Sequence, residues 1–269
     1  MKSKGMKELA NDLDASDALW EIRKSPVPDG PALVVLPHAG GNAHYYAQWE
    51  PNLPAQTGLL IAQYPGRGSR FTDDLAENIG ELAAPVISFL AEQPFAPVIM
   101  GHSMGTLVAY EVARGLTELG RPPLALIGSA CRAPYLPNPA PVMPQTLSDE
   151  ELVEAIKNRG GTDNEILDEP EMWEIILPSI RADFAIDDVY RSPDAVRTLS
   201  CPITIVGGES DPIVPVLDLV SWREVTEGES QVETIPGGHF YFDESVENMD
   251  RFMSIVNSMV TSVMPLRIS

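Results

Sequence analysis

The feature that most constrains this fold is a serine between two glycines, with an apolar strand pattern before it and an apolar helix pattern after it. The apolar run at residues 97–100 leads into Gly101-His102-Ser103-Met104-Gly105, and a helical pattern starts at Met104. A G-x-S-x-G sequence in this context is typical of a tight turn that exposes a nucleophilic serine above a parallel sheet. Side chains at the two glycine positions would crowd such a turn. We therefore predict Ser103 as a nucleophile at a helix N-terminus, where free N–H groups favour negative charge.

A serine hydroxyl is a weak nucleophile unless a base removes its proton. In proteins with this turn, the serine comes first in the chain, then the acid, then the histidine. Among the 4 histidines of the sequence, only His239 follows Ser103, so His239 is the predicted base. His102 is adjacent to the serine, and we expect its side chain to point away from the hydroxyl.

The acid is less constrained by the sequence. Asp211 lies in the loop after the buried strand pattern at residues 202–207, where the catalytic groups of open α/β sheets collect. Glu209, in the same loop, is a rival for this role. The alternative interpretation of Asp211 is a turn-forming aspartate before a proline.

A second loop has the position of an oxyanion hole. The apolar strand pattern at residues 32–36 is followed by Pro37-His38-Ala39-Gly40-Gly41. In this architecture, such a loop supplies one backbone N–H and the residue after the serine supplies the other. We predict Ala39 and Met104 as the two donors; the alternative is an ordinary glycine loop.

Strand and helix patterns alternate along the chain, which predicts a single domain over residues 1–269 built on a mostly parallel, doubly wound sheet. The predicted strands are residues 19–23, 32–36, 59–63, 97–100, 124–128, 202–207 and 231–235, and the predicted helices outside the insertion described next are residues 79–92, 104–120, 217–225 and 245–260.

Residues 134–192 interrupt this alternation with helical patterns, beginning at a proline-rich stretch and containing a capped helix after Ser148. We interpret them as a lid inserted between two core strands, mobile about its prolines and Gly160-Gly161. Its apolar side chains should divide between core and pocket. The pocket candidates are Met143, Leu177 and Phe184.

Composition excludes several classes of protein. The net charge of −21 and the pI of about 4.4 argue against binding to nucleic acid or to anionic membranes. The two cysteines, Cys131 and Cys201, have no metal-binding or disulfide-framework spacing and are expected to be buried and reduced. No apolar signal core occurs in residues 1–17 and no apolar run has membrane-spanning length, so we expect a cytoplasmic protein.

Several motifs together resemble one family, the type II (discrete, editing) thioesterases of nonribosomal peptide and polyketide synthases. The combination is more specific than the serine motif alone, and it runs from about residue 30 to the C-terminus in family order. The matching stretches are Pro37-His38-Ala39-Gly40-Gly41, Pro65-Gly66-Arg67-Gly68-Ser69-Arg70, Gly101-His102-Ser103-Met104-Gly105, Arg181-Ala182-Asp183-Phe184, Gly207-Gly208-Glu209-Ser210-Asp211-Pro212 and Gly237-Gly238-His239-Phe240.

This resemblance implies an α/β-hydrolase with a helical lid that hydrolyses acyl or aminoacyl thioesters on the phosphopantetheine arm of carrier proteins. It implies Ser103, Asp211 and His239 as the triad, Ala39 and Met104 as the oxyanion donors, and no metal or dissociable cofactor. Residues 128–132 contain no carboxylate where integrated thioesterase domains commonly have the acid, which favours the discrete class. The sequence departs from many relatives at Gly68, where they have glutamate.

The resemblance also implies acyl or peptidyl carrier proteins as partners. Carrier proteins are usually acidic, and this chain is acidic as well, so docking would need a local basic or apolar patch. The predicted patch is Arg67, Arg70 and Arg132, each expected near the carboxyl end of a strand; the alternative is that they are solvated surface arginines.

Three other functions fit parts of the same sequence. A discrete carboxylesterase or lipase, and an acyltransferase, would use the same triad. A hydrolase fold that only binds a ligand is the third, and an intact triad pattern argues against it.

Overall fold

The computed structural model of the protein describes residues 19–23, 30–162, 164–192, 194, 196 and 198–263. The polar, charged sequence of residues 1–17 predicts a loose arm or a short helix, which lies outside the described residues. Ser25-Pro26-Val27-Pro28-Asp29-Gly30 predicts a turn, and its first five residues also lie outside the described residues.

A single seven-stranded sheet forms the centre of the described part of the chain, in the order β1-β3-β2-β4-β5-β6-β7. Strand β1 is antiparallel to β3, and the other neighbouring pairs are parallel. This confirms the predicted mostly parallel α/β sheet, with residues 19–23 at one edge. The strands are β1 Leu19–Arg23, β2 Ala32–Leu36, β3 Gly58–Ala62, β4 Val98–His102, β5 Ala125–Ser129, β6 Ile203–Gly208 and β7 Ser230–Ile235.

Strands β2 to β6 are buried along their whole length because helices cover both faces of the sheet. Alternate residues of β2 show this directly: Val34 packs into one apolar cluster and Leu33 into the other. On the first face lie α2 Ile79–Ala91, α3 Met104–Glu118 and α7 Val216–Val220; on the second lie α1 Ala43–Ala47 and α8 Val246–Ser262. Cys131 and Cys201 are buried free thiols, as predicted.

The insertion between β5 and β6 is helical throughout its regular elements in the described residues. It contains α4 Asp149–Arg159, α5 Asn164–Leu167 and α6 Pro170–Val189. Helix α4 starts with the predicted capping box, and α6 continues through Pro178 as one helix. These helices form their own apolar cluster, made of Leu152, Val153, Ile156, Leu167, Leu177, Ile180 and Phe184. The described helices include none that combines the length and the apolar character needed to cross a membrane.

Two glycines allow α3 to pack directly on the sheet backbone. A Cβ atom on Gly105 would lie 2.0 Å from the carbonyl oxygen of Leu36, and one on Gly101 would lie 2.2 Å from the carbonyl oxygen of Gly105. The obstructing atoms belong to the backbone and cannot rotate away. The absence of these side chains therefore fixes where α3 begins relative to β2 and β4.

Substitution of Gly105 tests this packing. We expect Gly105→Ala to lower the free energy of unfolding by about 3 kcal/mol, because backbone atoms must move to admit the methyl group. Gly80→Ala is the matched control, since a Cβ there would meet only the side-chain oxygen of Asn78, at 3.1 Å. Its effect should stay within about 1 kcal/mol. Urea unfolding of both variants measures the difference, and equal stability of the two would contradict the packing argument.

Candidate active site

Ser103 occupies a strained turn between β4 and α3. Its φ of 53° and ψ of −128° lie in a region that residues other than glycine rarely adopt. The Ser103 N–H donates to the carbonyl oxygen of Ser129 at 2.8 Å, which ties the turn to β5. Strain of this kind typically costs about 1–3 kcal/mol and persists where the surrounding structure enforces it. The predicted serine turn is therefore present in the structure.

Ser103, His239 and Asp211 form one hydrogen-bonded line. His239 Nε2 lies 2.9 Å from Ser103 Oγ, and His239 Nδ1 lies 2.9 Å from Asp211 Oδ2. The other carboxylate oxygen of Asp211 accepts from the N–H groups of Ile213, at 2.8 Å, and Val214, at 3.1 Å. Because a carboxylate accepts from Nδ1–H, the neutral ring has Nε2 free to accept the serine proton. The structure thus brings together the three residues that the sequence predicted as a triad.

Close backbone contact between two loops places Asp211 beside His239. A Cβ atom on Gly208 would lie 2.0 Å from the carbonyl oxygen of Gly238, and the N–H of Ser210 donates to the carbonyl of Gly237 at 2.9 Å. Asp211 therefore faces His239, whereas the rival carboxylate Glu209 is exposed. This geometry favours Asp211, the carboxylate that the sequence analysis preferred, over its rival Glu209.

His102 is buried behind the serine turn and makes its contacts elsewhere. Its Nδ1 lies 2.8 Å from Ser129 Oγ, which in turn lies 2.7 Å from the hydroxyl of Tyr241. Burial lowers the pKa of His102 well below that of a free histidine. The ring is therefore neutral and belongs to the support of the turn.

The loop at residues 37–41, which we call the oxyanion loop, lies beside Ser103. Ala39 lines the same cavity as Ser103, and Met104 is the first residue of α3, where helical N–H groups have no intrahelical partner. His38 anchors the loop: its Nδ1 accepts from the Tyr46 hydroxyl at 2.7 Å, and its Nε2 donates to the Gly161 carbonyl at 3.1 Å. Burial lowers the pKa of His38 to about 3, although the hydrogen bond to the Gly161 carbonyl opposes this shift.

A cavity of about 440 Å³, including its open mouth, lies above Ser103 and His239. The insertion contributes Val142, Arg159 and Phe184 to its lining. The Arg159 guanidinium stacks over the Phe184 ring at 5.7 Å, and burial lowers the pKa of Arg159. Nothing in the sequence marks Arg159 as a cavity residue, since an arginine at the end of an amphipathic helix usually faces solvent.

Of the three predicted pocket residues, only Phe184 lines the cavity. Met143 is 51% exposed, and its N–H donates to Asp188 Oδ2 at 2.7 Å, so its assignment to the pocket was wrong. Leu177 is buried inside the apolar cluster of the insertion rather than at the cavity, so its assignment was wrong as well. It shares a helix face with Phe184 but lies about two turns before it.

The predicted basic patch of Arg67, Arg70 and Arg132 is also corrected by the structure. The three side chains are only 9%, 8% and 4% exposed, and each is paired with a carboxylate. Arg67 pairs with Asp183, Arg70 with Asp73, and Arg132 with Asp187.

Their burial in ion pairs excludes a docking surface built from these arginines. Burial on its own would lower the pKa of Arg67, but the adjacent Asp183 carboxylate raises it above that of a free arginine.

Comparison with known proteins places this geometry in a family. Residues 31–259 match the family model of the thioesterase domain. Thioesterase PikA5 of Streptomyces venezuelae is 34% identical over 238 residues, which cover 86% of this chain and 83% of that protein. A protein named linear gramicidin dehydrogenase LgrE, of Brevibacillus parabrevis, is 33% identical over 256 residues, covering 92% of this chain and 94% of its own length.

A solved structure gives the same result for the fold. The type II thioesterase BorB, from the borrelidin biosynthetic cluster, superposes with a TM-score of 0.80 at 33% identity, covering 91% of this chain and 98% of that one. The name of LgrE states a different reaction, whereas the family model, PikA5 and BorB all state a thioesterase. The chain therefore belongs to the thioesterase family, and the resemblance to type II thioesterases is confirmed. It is an α/β-hydrolase enzyme that acts on thioesters.

The buried histidines generate a test by pH titration. A pKa lowered from 6.5 to about 3 means that His38 stabilises the fold fully above pH 6.5 and loses that contribution as the pH falls towards 3, because the unfolded chain binds the proton first. NMR spectra of the imidazoles should show His38 in the neutral form down to about pH 5, about 1.5 units below the pKa of a free histidine, and His102 in the neutral form well below that ordinary pKa. Protonation of either ring near the ordinary histidine pKa would contradict the assigned environments.

Proposed function

We propose that this protein hydrolyses acyl or aminoacyl thioesters held on the phosphopantetheine arm of carrier proteins. The observation that carries the proposal is the continuous line of 2.9 Å contacts from Ser103 through His239 to Asp211 beside an open cavity. Such a line is the geometry in which histidine activates a serine and a buried carboxylate orients the histidine. Membership of the thioesterase family supports thioesters as the substrates.

In the first half of the reaction, His239 removes the Ser103 proton as the hydroxyl oxygen attacks the thioester carbonyl. Asp211 holds the imidazole in the required tautomer and stabilises the imidazolium that forms. The negative charge that develops on the carbonyl oxygen is stabilised by the N–H groups of Ala39 and Met104. Loss of one such donor typically reduces kcat about 10²–10³-fold.

In the second half, the C–S bond breaks, and the thiol leaves with the proton from His239. Water then attacks the acyl-enzyme ester while His239 accepts its proton. The bond between the acyl carbon and Ser103 Oγ breaks, His239 returns the proton to Oγ, and the free acid departs. Each proton and each bond is accounted for by groups of this chain, the substrate and water. The proposed reaction therefore requires no metal and no dissociable cofactor beyond the arm that the substrate carries.

The proposed biological role is the removal of wrong or stalled acyl groups from assembly-line carriers. The support is the kind of pathway that the relatives' names state, such as the borrelidin cluster for BorB and the colibactin NRPS/PKS pathway for ClbQ, which is 28% identical over 87% of this chain. The proposed partners are acyl or peptidyl carrier proteins. Nucleic acid and membrane surfaces are not proposed, because the chain has a net charge of −21.

The triad assignment predicts unequal effects at two neighbouring carboxylates. Asp211→Asn should lower kcat by about 10⁴-fold, as in the best-studied triad, because the imidazole loses its orienting acceptor. Glu209→Gln should leave kcat within about twofold, since its side chain is exposed. Steady-state hydrolysis of a butyryl thioester measures both, with Ser103→Ala as the baseline that forms no acyl-enzyme. Reversed effects at positions 209 and 211 would contradict the assignment.

The carrier proposal predicts a preference among thioesters of one acyl group. Carrier-bound butyryl should be hydrolysed with a higher kcat/KM than the matching N-acetylcysteamine thioester, because the carrier adds contacts beyond the acyl group. Mass spectrometry of the carrier follows the reaction directly. Faster hydrolysis of the matching oxygen ester would favour a carboxylesterase instead, and acyl transfer to an added alcohol or amine would favour an acyltransferase.

A further inference from the structure

A buried carboxylate of the insertion, Asp183, is hydrogen-bonded to the oxyanion loop. Asp183, on α6, receives both ends of the Arg67 guanidinium: Nη1 lies 2.5 Å from Oδ2, and Nη2 lies 2.9 Å from Oδ1. The same Oδ2 accepts the backbone N–H of Gly40 at 2.8 Å. Asp183 is therefore shared between an arginine of the β3–α2 connection and a peptide of the oxyanion loop.

An apolar contact also packs Gly40 against α6. Ile180, about one turn before Asp183, lies so close to Gly40 that an added Cβ would meet its Cγ1 atom at 2.8 Å. Gly40 also has a φ of 78°, which favours glycine. The backbone at Gly40 is thus fixed by one charged acceptor and one packed side chain, both supplied by α6.

Gly40 directly follows Ala39, so the position of the Gly40 N–H also fixes the neighbouring peptides. We infer that Asp183, held by Arg67, is a positioning residue that aims the Ala39 N–H at the reacting oxygen. This inference rests on the proposed function, in which Ala39 is an oxyanion donor. The hydrogen bond from Gly40 to Asp183 has a charged acceptor and is therefore stronger than one to a neutral group. Such a bond restrains the loop during the proposed reaction.

The arginine is needed for an electrostatic reason as well. A lone carboxylate bonded one residue from an oxyanion donor would repel the developing negative charge. The bidentate arginine neutralises Asp183 and leaves Oδ2 able to accept from Gly40. Buried ion pairs add little stability on average, so stability alone does not account for placing this one beneath the oxyanion loop.

A second buried pair on α6 provides a matched control. Arg132 bonds Asp187 Oδ1 at 3.2 Å and the Asp187 carbonyl at 2.8 Å, one turn after Asp183. Its described hydrogen bonds end on the backbone of Leu136 and Tyr190 and on Asp187, and none reaches the oxyanion loop. Asp187 also lines the cavity above Ser103, but its described side-chain hydrogen bonds go to Arg132 and Asn138 and not to the oxyanion loop. Loss of the Arg132 contacts should therefore lower stability, and can change KM, without moving the donor at Ala39.

The experiment compares Asp183→Asn, Arg67→Lys and Arg132→Lys in the full-length protein. Hydrolysis of the butyryl N-acetylcysteamine thioester gives kcat and KM. Inhibition by butylboronic acid, which forms a tetrahedral anion on the active-site serine, reports how well the oxyanion is held. Thermal unfolding of each variant reports the stability.

We expect Asp183→Asn to reduce kcat by about 10-fold to 100-fold, less than complete loss of a donor, with KM within about threefold. Boronate affinity should fall by a factor similar to that of kcat. Arg67→Lys should give a smaller change in the same direction, because lysine keeps the charge but not the bidentate geometry. Arg132→Lys should lower the melting temperature while the ratio of boronate affinity to KM stays unchanged.

Three results would overturn the inference. The first is a folded Asp183→Asn variant with wild-type kcat and boronate affinity. The second is an equal loss of boronate affinity in Arg132→Lys, which would indicate a general effect of buried pairs on α6. If Asp183→Asn does not fold, Arg67→Lys decides the question, and a wild-type boronate affinity in that variant is the third. Failure of the boronate to inhibit the wild-type enzyme would instead refute the proposed serine site itself.

Discussion

The backbone of Ser103 can hold its unfavourable conformation only because neighbouring atoms leave it no alternative. The Thr106 hydroxyl donates to the Gly101 carbonyl at 2.8 Å, across the turn, and the Thr106 N–H donates to the Ser103 carbonyl at 2.8 Å. On the other side, the Leu36 backbone lies against Gly105. These contacts fix the end of β4, the start of α3 and the position of the serine oxygen together. The remaining parts of the active site are arranged around that fixed point.

Burial keeps two histidines near His239 uncharged. His38 and His102 lie close to the base, with the His102 ring centroid 5.2 Å from that of His239. If either were protonated, its positive charge would oppose protonation of His239. Their lowered pKa values leave both rings neutral, so in the proposed reaction His239 gains its proton without a positively charged imidazole beside it.

The sequence could predict what depends on local order along the chain. Ser103 and His239 follow from a motif and from chain order, and Asp211 follows from the loop after a buried strand. Arg67 and Arg132 could not be assigned in this way, because each pairs with a carboxylate that only the tertiary fold brings near, whereas Arg70 pairs with Asp73, three residues away. Arg67 and Asp183 are separated by 116 positions in the chain, and no local pattern connects them. A strand-end arginine is equally compatible with solvent and with a buried partner.

The assignment of Leu177 to the pocket was wrong for a different reason. Helical periodicity identifies the apolar face of α6, and Leu177 and Phe184 both belong to that face. Periodicity does not say which end of the face borders the cavity and which is covered by other helices. The same applies to α7: the pattern at residues 217–225 predicted one helix, whereas the structure divides it into α7 and a short 3₁₀ turn at Ser221–Glu224. Sequence patterns thus predict helices, strands and their apolar faces better than they predict which residues those faces contact.

Gly160 and Gly161, in the insertion, are a further case in which the sequence predicted an element but not its neighbours. Gly160 and Gly161 were predicted as part of a hinge, yet an added Cβ on Gly161 would overlap the Phe240 ring at 2.1 Å. The Gly161 carbonyl also accepts from His38 Nε2. The turn after α4 therefore packs against Phe240 and is hydrogen-bonded to the oxyanion loop. Motion of the insertion remains a prediction, and such motion would break contacts between the insertion and the oxyanion loop.

An opening that separated the insertion from the sheet would break two anchors of the oxyanion loop at once. One is the bond from His38 to Gly161, and the other is the bond from Gly40 to Asp183. The loop that carries Ala39 would keep its bonds from Tyr46 to His38 and from Arg67 to Gly41, but it would lose both contacts with the insertion. In the proposed reaction a donor must be fixed in advance to stabilise a developing charge, so closure of the insertion would also restrain the proposed donor at Ala39. The same two contacts would therefore link closure of the cavity to the position of that donor.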